Sequence, residues 1–286
     1  MRHSRFKARL RGPRRTVHHT AIFDIGFLDQ GGLRSASRMR SKRPRFFSSL
    51  LLLFITATHA YSQTVTFSGR VTDTSTGLGI PDVAVVAVGN QTGTRVAVTN
   101  TNGDYTIEMG TNTNVKIRAY RKNFSFNPVF AGFTSIGGPL TGSHPLNFTG
   151  TAFPFAFLIF AQAPVLLTED SSLHALALDS LFLIRDPFPV VNTNYFGSDK
   201  HTRIKLMLVD LDLFNGETVS IISVQGIDNS AIVHNLAVED LRVVPGTPWL
   251  TQLTVRAPEG VATPNVLAIT VTVRGLTSNA ATVRLQ

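Results

Sequence analysis

The 286-residue chain contains no cysteine. That excludes disulfides, a thiol nucleophile, a Cys-ligated zinc or iron–sulfur centre, and a lipid anchor on an N-terminal cysteine. A secreted fold without disulfides must stand on its apolar cores alone. Long apolar runs are missing too. The stretch Phe46–Ala57 holds about twelve mostly apolar residues, against the roughly 20 that a helix needs to cross a bilayer. His-Glu-x-x-His zinc spacing, a Gly-x-Ser-x-Gly elbow and a Gly-rich phosphate loop ahead of a helix are all absent. Tryptophan occurs once, as Trp249.

The short apolar run carries a message of its own. Arg40, Lys42, Arg43 and Arg45 precede it, and the small residues Thr58, Ala60 and Ser62 follow. A basic head, an apolar centre and a small-residue exit make a secretory signal peptide. Met39 opens a signal of ordinary length, so 39–62 is read as the signal peptide and 1–38 as a disordered basic leader or a misassigned start. Cleavage after Ala60 or Ser62 is expected to leave a mature chain beginning near Tyr61 or Gln63. The formal charge of +9 belongs to this leader: residues 1–45 hold 13 of the 27 Lys and Arg and 2 of the 18 Asp and Glu. The remainder has 14 basic and 16 acidic residues, a net charge of −2. A nucleic-acid partner is therefore not expected. Many eukaryotic secreted β-domains are disulfide-stapled, so a cysteine-free exported chain points to a bacterial source. The Asn-x-Ser/Thr triplets at Asn90, Asn123 and Asn147 then read as turn and strand residues.

From Thr64 onward the pattern has period two. "TVTFSGRV", "DVAVVAV", "TRVAVTN", "DYTIEM" and "NVKIRAY" are short and rich in Val, Ile and Tyr, with Gly/Asn/Pro clusters between them. Such spacing predicts a β-sandwich or barrel. Asn102-Gly103 predicts a hairpin between "RVAVT" and "DYTIEM", because both residues tolerate positive φ. Phenylalanines 124, 126, 130, 133 and 148 close this module. The second half repeats the style in "DSLFLIR", "TRIKLMLVDL", "VSIISVQGI", "AIVHNLAVEDL", "WLTQLTVRA", "VLAITVTVRG" and "ATVRLQ". Either a helix or a strand fits "SSLHALALDSL". The join, Thr151–Asp170, is apolar but bracketed by Pro154 and Pro164, and reads as an extended connector covered by one or both modules. The expected architecture is all-β: two sandwiches, at 63–152 and 179–286, joined by a connector at 153–178.

The words "SGRVTD", "GLGIPDVAVVAV", "TNTNGDYTI" and "YRKNFSFNP" resemble the carboxypeptidase regulatory-like domain over residues 64–151. That resemblance implies a transthyretin-like sandwich within a carbohydrate-binding-like structural group. "EMGTNTN" departs from the family's Leu-Pro-Pro-Gly turn. "VTVRGLTSNAATVRL" resembles the last hairpin of immunoglobulin-like TIG modules of bacterial secreted proteins. Neither resemblance supplies catalytic residues.

Candidate chemistry is sparse. His144, His174, His201 and His234 are isolated and expected to be solvated rather than metal-bound. Asp210 and Asp212, two apart on a strand, point to one face, and Glu217 follows the "FNG" turn. Oxygen clusters suit calcium. Phe214 and Asn215 stand where an EF-hand loop needs a ligand and a glycine, so an exposed strand end entering a hairpin is expected. Asp104, Tyr105 and Trp249 are candidates for stacking and bonding a sugar, with packing roles favoured for the two aromatics. The patch Tyr120–Phe124 reads as a solvated edge. No catalytic, cofactor-binding or metal residues are assigned, and no cofactor is expected. The chain is expected to be a non-enzymatic exported protein with a structural, adhesive or display role. Its partners would be extracellular glycans or other surface proteins, with no stable membrane anchor after signal cleavage. Carbohydrate binding through the first module is the alternative.

Overall fold

The alternation seen along the sequence becomes a stack of antiparallel strands whose odd or even positions fill two cores. The computed structural model describes residues 63–153 and 162–286. The expected leader and signal peptide, residues 1–62, lie outside them. The described residues belong to one compact unit, Ala60–Gln286.

The first half contributes β1 (Val65–Asp73), β2 (Ala84–Gly89), β3 (Gly93–Val98), β4 (Asp104–Met109), β5 (Asn114–Tyr120), β6 (Phe124–Asn127), β7 (Ala131–Thr134), β8 (Gly142–Pro145) and β9 (Phe148–Ala152). One sheet runs β4-β1-β9-β6, with β8 also on β1; the other runs β3-β2-β5-β7. Strand β1 is antiparallel to β4 but parallel to β8 and β9. Between the sheets lie Phe67, Val71, Val85, Tyr105, Ile107, Ile117, Phe126 and Phe148, all buried. Burying one such side chain contributes roughly 1.5–3 kcal/mol.

The second half contributes β10 (Val165–Leu166), β11 (Ala177–Asp179), β12 (Arg203–Val209), β13 (Ile222–Ile227), β14 (Val233–Leu236), β15 (Val238–Val244), β16 (Thr247–Arg256), β17 (Asn265–Val273), β18 (Leu276–Thr277) and β19 (Ala281–Leu285). Its sheets run β10-β12-β16-β15, with β11 on β12, and β14-β13-β17-β18, with β19 on β17. Phe188, Ile204, Leu206, Leu253, Leu267, Ile269 and Val283 fill the space between them. The all-β sandwich class expected from the sequence is what the chain adopts. A 3-10 turn at Val219–Ile221 interrupts it.

Several local expectations fail, each for a physical reason. Asn102-Gly103 makes a tight turn but not a hairpin, since β3 and β4 belong to opposite sheets. The Asn100 side chain accepts from the N–H groups of Asn102 and Asp104 (both 2.9 Å), and Gly103 takes φ +82. The turn carries the chain across the sandwich. "DSLFLIR" is not a strand beyond Asp179. The Asp179 carboxylate accepts from the N–H groups of Leu181 and Phe182 (both 2.8 Å) and closes a loop there. "SSLHALALDSL" ends in β11 rather than a helix. Residues 165 and 166, read as connector, form β10. The divergent "EMGTNTN" loop is shaped by Asn112, fully buried, which accepts from the N–H groups of Gln91 and Thr92 and donates to Gly110 O and Thr92 Oγ1.

Gly69, within "SGRV", shows why a strand position is restricted to glycine. A Cβ there would sit 1.7 Å from the Leu146 carbonyl oxygen, a backbone atom with nowhere to move. Gly132 has open space around the same position. Gly69→Ala is expected to lower stability by about 1–3 kcal/mol or more, and Gly132→Ala by less than about 0.5 kcal/mol. Denaturant midpoints of the two variants check this; equal midpoints would show that β1 and the Leu146 backbone can separate without loss.

Candidate functional site at the junction of the two sandwiches

Strand β2 reads AVVAVG and is buried at nearly every position. Val83, Val85 and Ala87 face the first core, whereas Ala84 and Val86 face outward onto Val165, Leu167, Tyr120 and Val209. Val96, Trp249 and Leu250 flank that second contact. The β3-β2-β5-β7 sheet is thus covered on both faces along β2 and the Arg118–Tyr120 end of β5, and its outer cover there is the second sandwich. Strand β10 serves both sides: Leu166 enters the second core, while its neighbours Val165 and Leu167 enter the junction.

Polar groups stitch the same surface. Thr94 N–H donates to Thr168 Oγ1 (2.8 Å) and Thr168 N–H donates to Thr94 Oγ1 (2.7 Å). Within the second sandwich, the Asn279 amide holds β10 in place, accepting from Leu166 N–H and donating to its carbonyl, both at 2.9 Å. On β5, Val115, Ile117 and Ala119 point into the first core, so Lys116, Arg118 and Tyr120 point outward. Arg118 meets Asp210 at 3.2 Å, and the Tyr120 hydroxyl donates to Asp212. Arg274 donates to Asp212 O (2.8 Å) and pairs with Glu217, and its guanidinium lies 3.7 Å from the Phe214 ring centre.

These contacts correct the reading of "VDLDLFNGE" as an exposed strand end. Strand β12 stops at Val209, and Asp210 turns the chain with φ +61. The two carboxylates therefore leave the strand and enter the junction instead of lining one strand face. Asp210, Asp212 and Glu217 face Arg118, Tyr120 and Arg274 in turn. Tyr120, read as part of a solvated edge, is 9% exposed. Arg121, from the same patch, donates to Pro81 O and covers the Phe124 ring at 5.0 Å.

The other candidates are dispersed. Tyr105 is buried and donates its hydroxyl to Leu146 O (2.6 Å), and Trp249 packs on the junction. Tyr105 offers no free aromatic face, and Trp249 is half-buried against the junction. Asp104 lies 3.8 Å from Arg70. The histidines are not simply solvated. His144 stacks on Phe67 at 5.4 Å, His174 meets Thr282 at 3.0 Å, and His201 and His234 lie 2.6 and 3.0 Å from Asp199 and Asp228. They do not converge, and no group of three His, Asp or Glu among the described residues could hold a metal ion. Asn90 and Asn147 accept backbone N–H bonds, and Asn123 takes φ +65, all turn roles. No helix among the described residues is long and apolar enough to cross a membrane.

No family model matches the chain. No curated protein matches it either. Among solved structures, the major pilin subunit BcpA of Bacillus cereus aligns over 78% of this chain and 70% of its own at 8% identity, with a TM-score of 0.25. The shaft pilin SpaA of Lactobacillus rhamnosus GG aligns over 78% and 81% at 9% identity, TM-score 0.24. For the TIE protein of Bacillus anthracis the values are 78%, 49%, 5% and 0.26. TM-scores at this level do not establish a shared topology.

Electrostatics at the junction follow from burial. Desolvation pushes the Asp210 carboxyl up to about 7 from 3.8, with the Arg118 charge opposing it and Asp212 reinforcing it. Burial likewise raises the Tyr120 hydroxyl, helped by Asp212, and lowers Arg118, with Asp210 opposing. In the folded protein Asp210 keeps its proton over a range where the unfolded chain has released it. Its contribution to stability therefore falls as pH rises from about 4 to about 7. Asp210→Asn does not titrate, so its stability relative to the parent chain is expected to rise across that window and level off above it. Urea unfolding of both proteins at pH 4.5, 6 and 8 checks the sign; a difference moving the other way would mean that attraction to Arg118 outweighs desolvation.

Proposed function

We propose that the chain is an exported, non-enzymatic structural element acting at or outside a bacterial cell surface, with its two sandwiches joined as one rigid spacer. The observation that carries this reading is the doubly covered β3-β2-β5-β7 sheet. A flexible tether would leave that outer face polar. Here it is apolar along β2, and the polar residues beside that apolar contact, Arg118 and Tyr120, are paired across the junction. Strand edges at β15 and β14 remain available for contacts with other surface proteins, because an unpaired edge offers backbone donors and acceptors.

The first sandwich is proposed to be of the carboxypeptidase regulatory-like kind. "SGRVTD" falls on β1, "GLGIPDVAVVAV" runs into β2, and "TNTNGDYTI" forms the crossing turn and β4. The glycan-binding alternative would need a surface other than Tyr105 or Trp249, since both are occupied in packing.

The spacer reading has an internal reporter, the sole tryptophan, Trp249, at the junction. Tryptophan fluorescence and far-UV circular dichroism are expected to follow one coincident urea transition. Fluorescence change well ahead of strand loss would mean that the sandwiches separate first, and the rigid-spacer reading would fall. Export is tested separately. Produced in a Gram-negative host, the chain should be recovered outside the cytoplasm with an N-terminus near Tyr61 or Gln63. Recovery with Arg45–Ala60 intact would overturn export.

A further inference from the structure

Beside the buried junction, the outer face of β5 opens into a cleft of about 730 Å³. That is the size of a site for a small organic ligand. Lys116 and Arg118 line it, and no Asp or Glu does. Its polar atoms fall into two sets. The Asn90 and Asn279 amides are already committed to backbone groups or Thr113. The uncommitted ones are donors on Lys116, Gln162 and Arg118, together with the exposed Asn114 amide, which offers both a donor and an acceptor. Lys116 Nζ makes no hydrogen bond or ion pair, Gln162 is engaged only through Oε1 at Arg118 (3.1 Å), and Arg118, paired with Asp210 through Nη1, has its Nε and Nη2 buried without a partner. The walls are apolar, and Val129, Phe130 and Leu173 stand 54, 60 and 44% exposed there. Large apolar side chains gathered at a cavity rim mark a surface meant to be covered.

We propose that this cleft binds an amphipathic carboxylate, its apolar body against Val129, Phe130 and Leu173 and its carboxylate at Lys116 and the Arg118 rim. Lys116 has no acid partner, and although Arg118 is paired with Asp210 through Nη1, the cleft wall carries a spare positive charge that favours an anion. Among the uncommitted groups donors outnumber acceptors, which disfavours a neutral sugar, whose hydroxyls need both. The apolar walls disfavour a wholly polar anion such as a uronic acid. The site is distinct from the structural role above, because Lys116 and Phe130 take no part in the junction.

The test is calorimetric titration of the purified chain with decanoate, below its aggregation threshold. Octyl glucoside serves as the apolar control without charge, and glucuronate as the charged control without an apolar body. Decanoate is expected to bind saturably at one per chain, with both controls at least about tenfold weaker, the margin given by losing one charge-assisted bond or the buried apolar area. Lys116→Gln and Phe130→Ala, both at exposed side chains, should each weaken decanoate about fivefold or more while leaving the unfolding midpoint unchanged. Absence of saturable decanoate binding would overturn the proposal. So would equal binding by either control, or decanoate binding that neither substitution alters.

Discussion

Covering both faces of one sheet is the constraint on which the rest of this molecule depends. A sheet with one solvated face can carry any polar side chain outward. Once the outer face of β3-β2-β5-β7 is buried, every polar group on it must find a partner or carry a desolvation penalty. Arg118 and Tyr120 lie on that face because Ile117 and Ala119 must face the first core. Their partners have to come from the covering sandwich, and Asp210 and Asp212 supply them. The turn of β12 at Asp210, which takes the left-handed region, is a local consequence of this distant demand.

The individual strands were legible because one face of each is buried and the other is not. "DYTIEM" alternates exposed and buried without exception, and "RIKLMLV" nearly so. Sheet membership was not legible. An Asn-Gly pair says that the chain reverses, and the same reversal serves a hairpin or a crossing between sheets. Tyr120 and Asp212 are 92 residues apart, and nothing in a single sequence links them. The junction did leave one local trace. "DVAVVAV" is apolar at consecutive positions, and a strand buried on both faces requires that. Weighing this run against the true alternation of β4 would have marked β2 as the contact strand.

The pairing of Arg118 with Asp210 should not be read as the source of the junction's strength. Removing two charges from water opposes burial, and the upward displacement of the Asp210 carboxyl records that opposition. Strength comes from Ala84, Val86, Val165, Leu167 and Val209, whose burial is non-directional. A patch of small, similar side chains permits sliding. Hydrogen bonds with defined geometry do not. Tyr120 to Asp212 and Thr94 to Thr168 each accept one alignment of the two sandwiches.

Strand β5 runs from that buried junction to open cleft in steps of two residues. Register with β2 sets Tyr120 opposite Ala84, Arg118 opposite Val86 and Lys116 opposite Val88. Tyr120 is fully engaged, Arg118 is held through one nitrogen and unpartnered at two, and Lys116 makes no polar contact. Charge along this row is therefore neutralised at the junction end and left unbalanced at the cleft end. The same outward periodicity that forces polar side chains into the junction delivers spare cations to the cavity beside it. An anion entering there meets a lysine anchored by the strand at its Cα but free along its stem, so the attraction must exceed the cost of ordering that side chain.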